Sequence, residues 1–149
     1  MEKQQKLVAA LENGSVIDHI PTDKLFTVAQ LLQLELCTEP VLIGNNLESQ
    51  VMGKKGIIKI AGKFFSEAEI SKLAVLCPNM RLTVIRNYEV AEKREIGLPE
   101  KLTNIVKCAN PVCITNNEPM KTVFYRKDIE TVKCRYCGKE QKLKDIKLK

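Results

Sequence analysis

At 149 residues, with 24 Lys/Arg, 18 Asp/Glu and a single His, the chain is long enough for one average domain or two small ones. It has no run of 18 apolar residues, which excludes a transmembrane helix. Met1-Glu-Lys-Gln-Gln-Lys6 is followed by too short an apolar stretch for a secretory signal, so a cytoplasmic location is expected. The net charge of +6 is unevenly placed: residues 1–100 carry 12 basic and 13 acidic side chains, net −1, and residues 101–149 carry 12 and 5, net +7.

In chain order, Ser15-Val-Ile-Asp-His-Ile20 is β-branched and stops at Pro21, which predicts a strand. Thr22 or Asp23 can cap a helix whose apolar positions Leu25, Val28, Ala29, Leu32 and Leu36 recur at three- and four-residue spacing. That helix should end before Pro40. Val41-Leu-Ile-Gly44 predicts a short strand, followed by a polar hairpin region through Gly53 and a further strand at Gly56-Ile-Ile-Lys-Ile-Ala61. Ser66-x-x-Glu69 is a capping box for a helix with Ile70, Leu73, Ala74 and Cys77 on one face, stopped by Pro78. Arg81-Leu-Thr-Val-Ile-Arg86 alternates as a strand and is expected to extend through Tyr88 and Val90.

The resulting βαββαβ order predicts an α+β, ferredoxin-like antiparallel sheet with two helices on one face and the other face open. Polar Glu92 to Pro99 is expected to be a linker. Beyond it, Val123-Phe-Tyr-Arg126 and Glu130-Thr-Val-Lys133 predict short strands in a small all-β unit. The expected division is 1–97 and 98–149.

The second unit is too short for a sufficient apolar core and needs a staple. Cys108-x4-Cys113 and Cys134-x2-Cys137, with 20 residues between the pairs, have the spacing of four thiolates closing on one Zn²⁺. Two disulfides or four unrelated buried thiols are the alternatives, and nothing in the sequence marks export. Four sulfurs leave no open coordination position, so the metal is structural. Cys37 and Cys77 lie in apolar runs and are expected in the core. With zinc held by four thiolates the C-terminal excess falls from +7 to +5, still a surface for nucleic acid or for an acidic partner protein. A zinc-ribbon nucleic-acid-binding protein is therefore one functional reading, although few aromatic stacking platforms accompany the charge.

The sequence contains no P-loop, no GxGxxG and no Gly-x-Ser-x-Gly. Asp18-His19 could act as an acid–base pair, but neighbours in a regular strand point to opposite faces and no other catalytic parts accompany them. The third strand is expected beside the first, bringing Lys59 toward Asp18 or His19. Lysines 54, 55, 59 and 93 could then hold a planar anionic ligand, or form an ordinary solvated edge.

Several stretches together resemble the regulatory chain of aspartate carbamoyltransferase from end to end. They are Gly14-Ser-Val-Ile-Asp-His-Ile-Pro21, Met52-Gly-Lys-Lys55, Ile57-Ile-Lys-Ile60, Asn87-Tyr-Glu-Val90 with Lys93, Leu98-Pro-Glu100, Cys108-x4-Cys113-Ile114 and Cys134-x-Tyr-Cys137. The resemblance implies a non-catalytic allosteric subunit of a pyrimidine-biosynthesis enzyme. Its N-terminal domain would bind CTP and ATP, with UTP a further candidate. Its zinc domain would dock on the catalytic chain, and pairs of the regulatory chain would bridge catalytic trimers. By position, the implied nucleotide-binding residues are Val8, Ala9, Leu11, Val16, Asp18, His19, Lys59, Thr83, Ile85, Tyr88, Val90 and Lys93. The implied metal ligands are Cys108, Cys113, Cys134 and Cys137. Ala9 and Thr83 stand where familiar members carry an acidic residue and Asn. The hinge between the domains is expected at Glu92–Pro99.

Overall fold

A computed structural model describes residues 11–149 and shows a mixed α+β protein built of antiparallel sheets with few helices. The chain divides into two compact units. One holds the segment ending at Ser66 together with Asn79–Ile96, and the other holds Glu67–Pro78 together with Gly97–Lys149.

The first unit is a five-stranded antiparallel sheet in the order β2-β3-β1-β4-β5. Its strands are β1 (Gly14–Ile20), β2 (Val41–Ser49), β3 (Gly53–Ala61), β4 (Met80–Arg86) and β5 (Glu89–Ile96). The order β2-β3-β1-β4 is the ferredoxin-like arrangement, with β1 and β3 as central neighbours. One face is apolar: Ile17, Ile58 and Leu82 form a cross-strand row, and all three are buried. Helix α1 (Leu25–Leu31) buries Leu25 and Val28. It lies so close to β3 that a Cβ on Gly56 would come within 2.8 Å of Leu25 Cδ1.

Several expectations need correction. Strand β4 does not run on through Tyr88 and Val90. Asn87 and Tyr88 take left-handed φ values of 53° and 66°, the geometry of a tight hairpin turn, and the chain returns as β5. The expected linker is thus mostly strand: Arg94 pairs with Leu82 and Ile96 with Met80. Alternating charges such as Glu92, Lys93 and Glu95 suit an edge strand with an exposed face. The first helix also stops early. Gln33 is left-handed at φ 53°, and Leu34–Leu36 form a separate 3₁₀ turn. Its N-cap position is Lys24, without a side-chain cap, so neither Thr22 nor Asp23 serves. Cys77 is buried, but Cys37 is only half-buried.

In the second unit, helix α2 (Glu67–Leu76) contributes Val75 to a core of Leu98, Leu102, Ile105, Val106, Phe124 and Val132 with Cys108, Cys113 and Cys134. Around this core lie β6 (Lys101–Thr103), β7 (Val106–Lys107), β8 (Val123–Arg126), β9 (Thr131–Cys134), β10 (Glu140–Lys142) and β11 (Lys147–Leu148). They form a four-stranded sheet, β10-β9-β8-β6, and a β11-β7 pair. Apart from α2, the helical parts are one turn, α3 (Ile114–Asn117), and a 3₁₀ turn at Leu143–Asp145.

Candidate functional site

The open face of the five-stranded sheet collects the residues singled out in the sequence. Lys59 lies directly opposite Val16, Val16 opposite Thr83, and Thr83 opposite Lys93. Directly opposed residues share a face, so two long cationic side chains flank two short ones across four strands. Three strand spacings put the lysine Cα atoms roughly 14 Å apart, close enough for both side chains to lean over the floor between them. The adjoining row is apolar or small: Ala61, Gly14, Ile85 and Val90. A bulge that skips Ala91 keeps Val90 and Lys93 on this same face. Burial lowers the Lys59 ammonium pKa from 10.5, because the charged form loses water there.

Val8 and Ala9 lie outside the described residues. Leu11 is half-buried. Tyr88 sits in the β4–β5 turn with an exposed side chain, and its backbone N–H donates to Glu12 O at 2.9 Å. That donor is therefore engaged within the chain.

Asp18 and His19 overturn the expectation of opposite faces. Ile17 pairs with Ile58 and Ile20 with Gly56, so Asp18 and His19 together oppose Ile57 in a β-bulge. His19 has φ 60°, its N–H donates to Asp18 Oδ1 at 2.6 Å, and its Nδ1 lies 3.6 Å from that oxygen. His19 Nδ1 is buried without a hydrogen-bond partner among the described residues. Desolvation lowers the imidazole pKa below 6.5, with Arg81 and Lys55 adding to the effect and Asp18 opposing it. The lysine that reaches Asp18 is Lys55, which sequence reasoning placed only nearby. Its Nζ lies 3.0 Å from Oδ1 and donates to Oδ2 at 3.1 Å. Lys55 is buried while Lys54 is exposed. Nothing in the sequence announces the Lys55–Asp18 pair, because it depends on the bulge.

The second unit brings its four cysteines together. Every pair of sulfurs among Cys108, Cys113, Cys134 and Cys137 lies within 4.8 Å, with Cys108–Cys137 at 3.6 Å and Cys113–Cys134 at 3.8 Å. A tetrahedron with Zn–S bonds of 2.3 Å has edges of roughly 3.8 Å, so the donor set fits one zinc. No disulfide forms among them. The local causes are clear. Cys134 ends β9, and Gly138, at φ 77°, turns the chain so that its N–H donates to Cys134 O at 3.0 Å while Cys134 N–H donates to Lys139 O at 3.0 Å. On the other side, the Asn116 amide donates to Cys108 O and Asn110 O, each at 2.8 Å, and the Asn117 amide to Cys113 O at 2.8 Å. These bonds pin the four-residue loop that the long spacing requires.

Burial pushes the Cys108 thiol up to about 12 and raises Cys134 as well. For Cys137 burial acts in the same direction, but the Lys139 N–H, the Asn110 side chain and the neighbouring sulfurs outweigh it and bring the thiol down to about 7. Without a cation Cys108 and Cys134 hold their protons, and a metal must displace them.

Comparison with known proteins covers both parts of the chain. The description "Aspartate carbamoyltransferase regulatory chain, allosteric domain" matches residues 6–97, and "Aspartate carbamoyltransferase regulatory chain, metal binding domain" matches residues 100–147. The chain belongs to the aspartate carbamoyltransferase regulatory chain family. Curated regulatory chains that it resembles include that of Phocaeicola vulgatus, 58% identical over 148 residues (98% of this chain and 96% of the relative). That of Bacteroides fragilis is 58% identical over 146 residues (97% and 95%), and that of Pyrococcus horikoshii 41% over 143 residues (93% and 94%). All three are named as regulatory chains of aspartate carbamoyltransferase, so this is a regulatory and not a catalytic subunit. The nucleic-acid alternative finds no support among them. The four-cysteine cluster lies within the part matched by the metal-binding domain and fits one structural zinc. No helix among the described residues is long and apolar enough to cross a membrane.

Proposed function

We propose that the open sheet face binds a nucleotide effector and that the zinc domain passes the resulting bias to the catalytic chain of a cytoplasmic aspartate carbamoyltransferase. The division into effector and zinc domains is taken as 1–97 and 98–149. The observation carrying the effector site is the Lys59–Val16–Thr83–Lys93 row beside the apolar row ending in Ile85 and Val90. Lysines supply point charges for phosphates, and the neighbouring apolar floor suits a ribose or base. Leu11, His19, Tyr88 and the N-terminal Val8 and Ala9 complete the proposed set. Asp18 is assigned a different part from a free acceptor, since both its oxygens already meet Lys55. The proposed ligands are CTP, ATP and UTP. A second copy of the chain is the proposed partner within a regulatory dimer.

Regulation requires that the nucleotide bind two arrangements of the holoenzyme with different affinity; a ligand that binds both equally shifts nothing. Coupling of about 1–3 kcal/mol is the ordinary scale. Cys108, Cys113, Cys134 and Cys137 are the proposed ligands of the zinc. When bound, the zinc contributes Lewis-acid binding of four thiolates and hence folding energy for the docking unit. The chain's own residues do the rest: Asn116, Asn117 and Gly138 hold the two cysteine loops in place.

The test is to mix the chain with its cognate catalytic chain and titrate CTP and ATP while following aspartate saturation. Opposed shifts of the half-saturation point are expected. Unchanged saturation curves, with assembly intact, would reduce the protein to a structural linker.

A further inference from the structure

In the second unit β7 and β11 pair in a register that sets Lys107 directly opposite Lys147. Like charges in directly opposed positions are unfavourable, their Cβ atoms being only about 5 Å apart. Neither lysine makes an ion pair among the described residues, in a unit that already carries excess positive charge. Both line a cavity of about 450 Å³, with Asn116, Pro111, Gln141 and Asp145 among its other walls. That volume falls within the range of small-molecule sites.

The cavity wall is built rather than incidental. Gln141 is buried, and its Oε1 accepts the Ala109 N–H at 3.1 Å. This fixes the amide at the cavity, since Ala109 is also part of the wall, and leaves the Nε2 donors without a hydrogen-bond partner among the described residues. Asn116 is held in turn by its bonds to Cys108 O and Asn110 O. Two lysines and an anchored amide thus line one space, and one acidic residue, Asp145, shares the wall with them.

We infer that this cavity is a second ligand site, separate from the effector face, and that it takes a small phosphate ester bearing a free hydroxyl or amine. The phosphate dianion would sit between Lys107 and Lys147 and relieve their repulsion, with Gln141 donating to one oxygen. Asp145 repels a bare anion, but accepts a hydrogen bond from a hydroxyl or amine on the ester's other end. The cavity is larger than a lone phosphate needs, which favours an ester over the inorganic ion.

The experiment uses the full zinc-loaded chain carrying Lys59→Ala and Lys93→Ala, so that the proposed effector face cannot supply the phosphate contacts. Glycerol phosphate is titrated against backbone amide resonances, with inorganic phosphate and glycerol at matched ionic strength as controls. Saturable shifts at residues 107–109, 141 and 147 are expected, stronger for the ester than for either control. Lys107→Gln with Lys147→Gln should weaken them about tenfold or more. Glycerol phosphate should raise the melting temperature of the Lys59/Lys93 variant and leave that of the quadruple variant unmoved. Lys147→Gln alone should raise the melting temperature in phosphate-free buffer by removing the opposed charge. Shifts that grow linearly without saturation, that appear elsewhere in the chain, or that survive Lys107→Gln with Lys147→Gln would overturn the site. A fall in melting temperature for Lys147→Gln would overturn the argument from opposed charges.

Discussion

Both carboxylate oxygens of Asp18 meet one ammonium, that of Lys55, at 3.0 and 3.1 Å. Lys55 is buried and Asp18 is partly exposed, so the pair is screened on one side only. Asp18→Asn should destabilise the fold by about 1–3 kcal/mol, because it leaves a buried cation without its counterion. The double variant Asp18→Asn with Lys55→Met should cost less than the sum of the single changes in urea denaturation. Strict additivity would show that the pair contributes nothing.

The same relationship separates the lysines of the sheet face. Lys59→Ala and Lys93→Ala should each weaken CTP binding about tenfold, the scale of one charge-assisted contact. Lys55→Met should change it only a few-fold, since Asp18 already neutralises that charge. Calorimetric titration of the three variants decides the matter; equal losses at all three positions would mean that Lys55 serves the ligand.

Gly14 has φ 147°, and a Cβ there would lie 2.2 Å from the Ile60 carbonyl oxygen and 3.0 Å from Gly62 N. Both obstacles are backbone atoms, the first within paired β3 and the second bonded to Asn13 O at 2.9 Å, so neither can yield cheaply. Gly14→Ala should cost about 2–4 kcal/mol. Gly62→Ala meets nothing nearer than Glu39 Cγ at 3.7 Å, and should cost only about 1 kcal/mol for its left-handed backbone. Denaturation midpoints of the two variants test the order.

His19 carries a pKa below 6.5 through desolvation. The unfolded chain therefore takes up a proton near pH 6.5 that the folded chain refuses until a lower pH. Stability should fall as pH drops through 6.5 and stop falling on this account below the folded value. His19→Gln should flatten that slope between pH 7 and 5. A wild-type imidazole titrating at or above 6.5 by NMR would contradict it.

Chelating the zinc should unfold the unit around Cys108, Cys113, Cys134 and Cys137 and abolish association with the catalytic chain. CTP binding through the N-terminal sheet should largely persist. Because buried Cys108 and Cys134 hold their protons tightly without a cation, zinc uptake should release protons, measurable as a buffer-dependent heat. Full holoenzyme assembly in the metal-free chain would remove zinc from the docking role.

Some of this architecture follows from local chemistry alone. Pro21 and Pro78 stop elements, and β-branched runs such as Gly56–Ala61 pair as strands. The two cysteine pairs with their turn-forming Gly138 specify a metal centre wherever the loops close. These signals are short-range, so the sequence itself was enough to read them. What the tertiary structure decided are matters of register. Asn87-Tyr88 looks like strand until its left-handed turn sends β5 back along β4, making a supposed linker into a fifth strand. Asp18 and His19 alternate on paper, yet a bulge set by pairing with β3 turns both toward one region and hands Asp18 to Lys55. Lys107 and Lys147 stand 40 positions apart in the chain and become an opposed pair only when β7 meets β11. A one-residue change of register moves a side chain to the other face of a sheet. Which charges meet is therefore determined by long-range pairing, which no local spacing records.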